Sequence, residues 1–206
     1  MQKQRSGMKI ILAVILLALS MLMTSCMSAA DGLIDRLEAM LGDTNSDPDS
    51  DSDSDELTEV TSEDGVFSVM APKSWEKTDE LNDEAQISLM NERKELYLMC
   101  ISESLLDFDD SATVDDYFAL VKESMSGSIE NAVWTEPAAE TLNGASAISV
   151  ELSGTINKVK ITYFITLYKT ESSFTQVIGW TIFSKTDANR AIITEVAKSF
   201  RERDAT

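Results

Sequence analysis

Three long β-rich runs stand almost end to end in the second half of the chain, over residues 145–153, 159–169 and 174–183. Together they are dense in Val, Ile, Thr, Phe and Tyr, the side chains that fit a pleated surface. The breaks between them, 154–158 and 170–173, are far shorter than the dozen or more residues that a parallel crossover needs. The runs are therefore expected to lie as antiparallel neighbours, and whatever else the chain forms must be built on that sheet.

The rest of the pattern begins at Gly65. Residues 66–70 read as a strand that stops at Pro72, and 85–90 and 95–102 read as a hairpin around the turn 91–94. Over 113–125, Val114, Tyr117, Phe118, Val121 and Met125 share one face of a helix, with Ser111 or Thr113 as its cap and acidic residues in its first turn. A short strand is expected over 132–135. A second helix is expected over 188–202, with Ala188, Ile192, Val196 and Phe200 buried. Two helices and a mainly antiparallel sheet make an α+β domain. With one helix on each face, it becomes a three-layer α/β/α sandwich.

Val66-Phe67-Ser68-Val69-Met70-Ala71-Pro72-Lys73-Ser74-Trp75 resembles the opening strand, proline and tryptophan of PsbP-like and Mog1-like domains. Gly179-Trp180-Thr181-Ile182-Phe183, followed by a helix ending in Ser199-Phe200, is similar to their close. The resemblance runs over 66–201, with Ser74 standing where glycine is frequent. It implies the same α/β/α sandwich. Such domains include photosystem accessory proteins, a partner of a nuclear-transport GTPase and many exported lipoproteins. It carries over no specific partner and no metal site built on histidine, because the chain has no histidine.

At the other end, Lys3, Arg5 and Lys9 precede an apolar run over 10–23, and Met23-Thr24-Ser25-Cys26 follows. Charged, apolar and small residues in that order form an export signal. The cysteine at its close resembles the lipobox of bacterial lipoproteins, with Met23 where leucine is usual. The resemblance implies that the Cys26 thiol receives a diacylglyceryl group and that Cys26 becomes the new N-terminus. Read instead as an uncleaved anchor, the run spans roughly 21 Å against the ~30 Å of a bilayer core. Both readings leave the rest of the chain outside, since the basic residues stay on the cytoplasmic side. Met27 gives no retention signal of the aspartate type, which favours the outer face of a cytoplasmic membrane.

The expected organisation is a signal peptide over 1–25, a lipidated N-terminus with a short amphipathic helix over 26–42, a linker over 43–64 and the domain over 65–206. In the second piece Leu33, Ile34, Leu37, Met40 and Leu41 recur at helical spacing. The linker, dominated by Asp, Ser, Glu and Thr, has too little apolar surface to order itself and should act as an extended spacer. Its alternating aspartates do not fit a calcium loop: counted from Asp47, positions six and twelve are Ser52 and Thr58, not Gly and Glu.

Charge and composition exclude several functions. The chain carries 17 basic and 36 acidic residues, a net charge of -19. That opposes nucleic-acid binding and an electrostatic grip on an anionic membrane. Without histidine the commonest general base and metal ligand are missing. With Cys26 lipidated, Cys100 has no disulfide partner, and its apolar surroundings make it a buried thiol. The pairs Asp109-Asp110 and Asp115-Asp116 are explained by a helix start. Ser124-Met125-Ser126-Gly127-Ser128 reads as a helix end. No phosphate-cradling glycine motif occurs, so no cofactor, metal or catalytic residue is expected. Of the three tryptophans, Trp180 is expected in the core, and Trp75 is the candidate for lining a ligand or partner groove. The leading expectation is a non-catalytic, lipid-anchored accessory module for another envelope protein. The alternative is a lipoprotein that binds a small molecule or cation beside Trp75.

Overall fold

The computed structural model describes residues 56–203; Cys26, the signal peptide, the 28–42 segment and the aspartate run through residue 55 lie outside them. In chain order the elements are β1 Leu57–Thr61, β2 Phe67–Pro72, β3 Glu76–Lys77, β4 Ile87–Asn91 and β5 Leu96–Ser104. Then come α1 Val114–Ser128, β6 Glu130–Trp134, β7 Ala138–Leu142, β8 Ala145–Ile156, β9 Val159–Lys169, β10 Ser173–Ile182, α2 Thr186–Lys198 and β11 Arg201–Glu202. The large sheet runs β3-β4-β5-β10-β9-β8-β6, with β7 also paired to β8, and a small sheet runs β1-β2-β11. Every pair is antiparallel.

Register follows from where apolar side chains must go. Met90, Tyr97, Trp180, Tyr163, Leu152 and Trp134 stand opposite one another across six successive strands. This row lies on the face that α1 covers through Val114, Tyr117, Val121 and Met125. The other face carries α2 together with the small sheet, and its core joins Leu89, Leu98, Cys100, Val177, Ile193 and Phe200. The α+β, mainly antiparallel architecture is thus present. Its outer layer on the second side is a helix plus a three-stranded sheet. Among the described residues no helix is long and apolar enough to cross a membrane.

α1 starts on a capping box: Thr113 Oγ1 accepts from the Asp116 amide, and the Asp116 side chain accepts from the Thr113 amide. Asp116 is accounted for by that cap. Elsewhere the structure corrects several expectations. β1 lies inside the segment expected to be linker, because Leu57, Thr58, Val60 and Thr61 supply enough strand-forming surface to pair with β2. The final helix starts two residues earlier, ends at Lys198 and gives way to β11. Val196 and Phe200 are buried as expected, but Ala188 is exposed and Ile192 only half-buried, and Asn189, Ile193 and Ala197 complete the buried face. Asn189 is held in its buried place by its side-chain amide, which donates to Thr181 Oγ1 and Lys94 O, both at 2.9 Å. Gly154 is a strand residue, and the hairpin turn is Asn157-Lys158, both at positive φ. A Cβ at Gly154 would lie 2.1 Å from Ile129 Cγ2, so glycine there serves close packing.

Candidate functional site

A strand shows alternate side chains to opposite faces, and β8 and β9 use the two faces differently. Towards α1 they send Ile148, Val150, Leu152, Tyr163, Ile165 and Leu167, all buried. Towards α2 they send Ser149, Glu151 and Ser153 from β8, and Thr162, Phe164 and Thr166 from β9. α2 packs over β9 and β10 and stops short of β7, leaving this polar strip partly uncovered.

On α2, Arg190, Thr194 and Lys198 follow one another at four-residue spacing, which puts them on one side of the helix. That side faces the strip. Lys198 Nζ donates to both oxygens of Glu140 on β7, at 2.8 and 2.6 Å. Arg190 pairs with Glu151 on β8 and lies 5.5 Å from the centre of the Phe164 ring. Between these two bridges is a cleft of about 190 Å³, with Ser149, Phe164 and Thr166 at its base and Thr194 overhead. The outer wall is the break between β6 and β7, where Glu136-Pro137 leaves the sheet edge. There Thr135 takes over pairing: its amide donates to Glu151 O, and its Oγ1 accepts from the Glu151 amide, each at 3.0 Å.

The β7–β8 turn ties down the end of α2 beside the cleft. Asn143 and Gly144 both have positive φ, as a two-residue hairpin turn requires. The Asn143 amide donates to Lys198 O at 3.0 Å and Phe200 O at 2.9 Å, satisfying carbonyls at the end of α2. The Lys198 ammonium beside Glu140 holds its carboxyl below the usual glutamate value. On the opposite face Glu103 behaves the other way. Burial pushes it up, outweighing its hydrogen bonds from Tyr117 and Gln176.

The structure does not place Trp75 in a groove. It is 6 % exposed and packs in the core beneath the small sheet with Phe67, Leu89 and Leu96, so it lines no part of the cleft. Trp180 is also core, whereas Trp134 is half-buried, donating from Nε1 to Ser126 Oγ at 3.0 Å. Cys100 is buried, and desolvation drives its thiol far above the usual range. Cys26 lies outside the described residues. Among the described residues no three His, Cys, Asp or Glu side chains gather to hold a metal. Sequence reasoning did not find Glu140, Glu151 or Thr194. The one signal that pointed there was Asn143-Gly144, a hairpin dipeptide that implies a strand on either side.

No protein-family model matches the chain, and no curated protein matches it in sequence. Solved structures do. The solution structure of cyanobacterial PsbP (CyanoP) from Synechocystis superposes with a TM-score of 0.54 at 12% identity, covering 78% of this chain and 99% of that one. The fold is PsbP-like. A second similar structure is LpqN, involved in cell envelope biogenesis of Mycobacterium tuberculosis, with a TM-score of 0.51 at 13% identity. That match covers 70% of this chain and 88% of LpqN. At such identities the likeness is one of PsbP-like fold, and the cleft residues belong to this chain's own description.

Proposed function

We propose that this chain is an exported, lipid-anchored binding module that works as a non-catalytic accessory to another protein of the cell envelope. The observation that carries the reading is the order Lys3, Arg5, Lys9, apolar run, Thr24-Ser25-Cys26 ahead of a domain with two closed cores. Cys26 is the lipidated residue, and two acyl chains on it hold a protein stably on a membrane. Between Cys26 and the first strand at Leu57 the chain extends at most roughly 100 Å. This is room to reach a partner standing well above the bilayer. LpqN, which has the same fold, works in envelope biogenesis, and that supports the setting.

The test is crosslinking of the full chain in intact cells, with partners identified by mass spectrometry and Cys26→Ala as control. One envelope protein recovered with the wild type and lost in the control is the expected outcome. An unlipidated N-terminal peptide in wild-type cells removes the anchor. Turnover of a common ester, peptide or glycoside substrate removes the non-catalytic role. The reading as a small-molecule binder gains one observation, the cleft under α2, which is lined by hydroxyl and carboxylate side chains as well as apolar ones and lies away from Trp75. A cation has less claim on it, because Glu140 and Glu151 are each paired with a basic side chain of α2.

A further inference from the structure

We infer that the cleft between α2 and the β7–β8 edge binds a neutral polyol about the size of one sugar ring. Charge comes first. Each carboxylate at the cleft is matched by a basic side chain of α2, Glu140 by Lys198 and Glu151 by Arg190, which also pairs with the exposed Asp187. An anion placed there meets both carboxylates in a chain of net charge -19. A cation must displace an ammonium or a guanidinium to reach a carboxylate. A neutral ligand disturbs neither pair.

The remaining polar groups are hydroxyls. Ser149, Thr166 and Thr194 face the cleft from below and above, and Thr135 stands at its outer wall. The Ser149 and Thr166 oxygens are 3.5 Å apart, at the limit of a hydrogen bond; Ser149 also hydrogen-bonds the Glu140 carboxylate and keeps its lone pairs for a ligand, while Thr166 keeps capacity for a better partner. Each hydroxyl donates one proton and accepts two, and the Glu140 oxygens, bonded by Lys198 and Ser149, keep lone pairs beyond those bonds. The complementary ligand carries closely spaced groups that both donate and accept, which describes adjacent hydroxyls on a carbon ring. Phe164, 4 % exposed with the Arg190 guanidinium 5.5 Å from its ring centre, leaves only an apolar edge at the base for the C–H side of such a ring. A volume of about 190 Å³ holds about six waters. That is below the roughly 300 Å³ at which sites for larger organic ligands begin, and it limits the occupant to a single ring.

The experiment uses the full chain in a detergent without a sugar headgroup, titrated with glucose, N-acetylglucosamine and myo-inositol while the amide NMR signals are followed. Inorganic phosphate and L-lysine serve as charged probes. Saturable, millimolar shifts centred on Ser149, Glu151 and Thr194 are expected for at least one neutral probe. Ser149→Ala and Thr194→Val should each weaken that binding roughly five- to tenfold, the worth of one hydrogen bond. Thr141→Val, on the opposite face of β7, should leave it unchanged. The inference fails if no neutral probe saturates, or if phosphate or lysine binds more tightly than all three. It also fails if both cleft variants bind like the wild type while unfolding at the same urea concentration.

Discussion

The α1 and α2 faces of the β8–β9 hairpin share one backbone ladder and differ only in which parity of residue they receive. The α1 face takes Ile148, Val150, Leu152, Tyr163, Ile165 and Leu167 and is closed. The α2 face takes Ser149, Glu151, Ser153, Thr162 and Thr166 around Phe164 and keeps a cleft. A strand has no means of keeping both faces apolar when one of them is to hold solvent, so stability and binding capacity are divided between even and odd positions. The most severe test of that division is to truncate one residue of each parity. Leu152→Ala removes a fully buried side chain and should cost about 2–5 kcal/mol, whereas Ser149→Ala should stay within about 0.5 kcal/mol. Urea unfolding of the two variants measures the difference. Similar losses would show that the hydroxyl strip is structural after all.

Each face also contains one glycine beneath the layer that covers it. A Cβ at Gly154 meets Ile129 Cγ2 at 2.1 Å and Glu130 O at 3.1 Å on the α1 side; one at Gly179 meets Ile193 Cγ2 at 2.2 Å on the α2 side. Alanine at either place overpacks a full core and should cost about 1–3 kcal/mol. Gly154→Ala should be the worse, because backbone as well as side chain blocks it. A smaller loss at Gly154 than at Gly179 would mean that Ile129 yields more readily than the packing implies.

Gly154 also shows how far the sequence could be read. The strand alternation was legible, and β9 matches its expected bounds of 159–169 at both ends. From the sequence alone Gly154 reads as the hairpin break, because a glycine inside a β pattern has two explanations and only the position of Ile129 decides between them. Asn157-Lys158, the real turn, lacks the glycine that normally marks one. β7 passed unnoticed because Ala138-Ala139-Glu140-Thr141-Leu142 has little strand propensity and is held by pairing with β8. On α2 the apolar periodicity finds Val196 and Phe200 but not Asn189, since an asparagine on the buried face runs against it. The cleft was hidden for the same reason: its residues are separated by up to 63 positions and look like ordinary surface until β7, β8 and α2 meet.

Asn143 ties the β7–β8 turn to the α2 face alone, and replacing its amide sharpens the comparison at intermediate cost. In Asn143→Asp the turn conformation is tolerated, but a carboxylate faces the carbonyls of Lys198 and Phe200 in place of two donors. A loss of about 1–2 kcal/mol is expected, with the α2 face losing hydrogen-exchange protection at 196–200 and the α1 face retaining it. Equal loss on both faces would mean that the turn supports the whole sheet.

The smallest effects are electrostatic, and they have opposite signs on the two faces. Glu140 has a folded pKa below its ordinary value because Lys198 hydrogen-bonds it. Its pair therefore adds stability that is complete above the ordinary value and is lost as the pH falls through the lower folded one. With both side chains partly exposed, this amounts to less than about 1 kcal/mol. Glu103 has a folded pKa above its ordinary value because it is desolvated under α1, with Asp107 adding to the rise. Its contribution is complete below the ordinary value and is lost as the pH climbs towards the raised one. Stability measured against pH should thus respond in separate windows. Glu140→Gln should flatten the acid limb below the ordinary glutamate value, and Glu103→Gln should remove a decline just above it. If both substitutions altered the same window, the carboxylates would share an environment, and the contrast between a dry face and a paired, solvent-reached face would not hold.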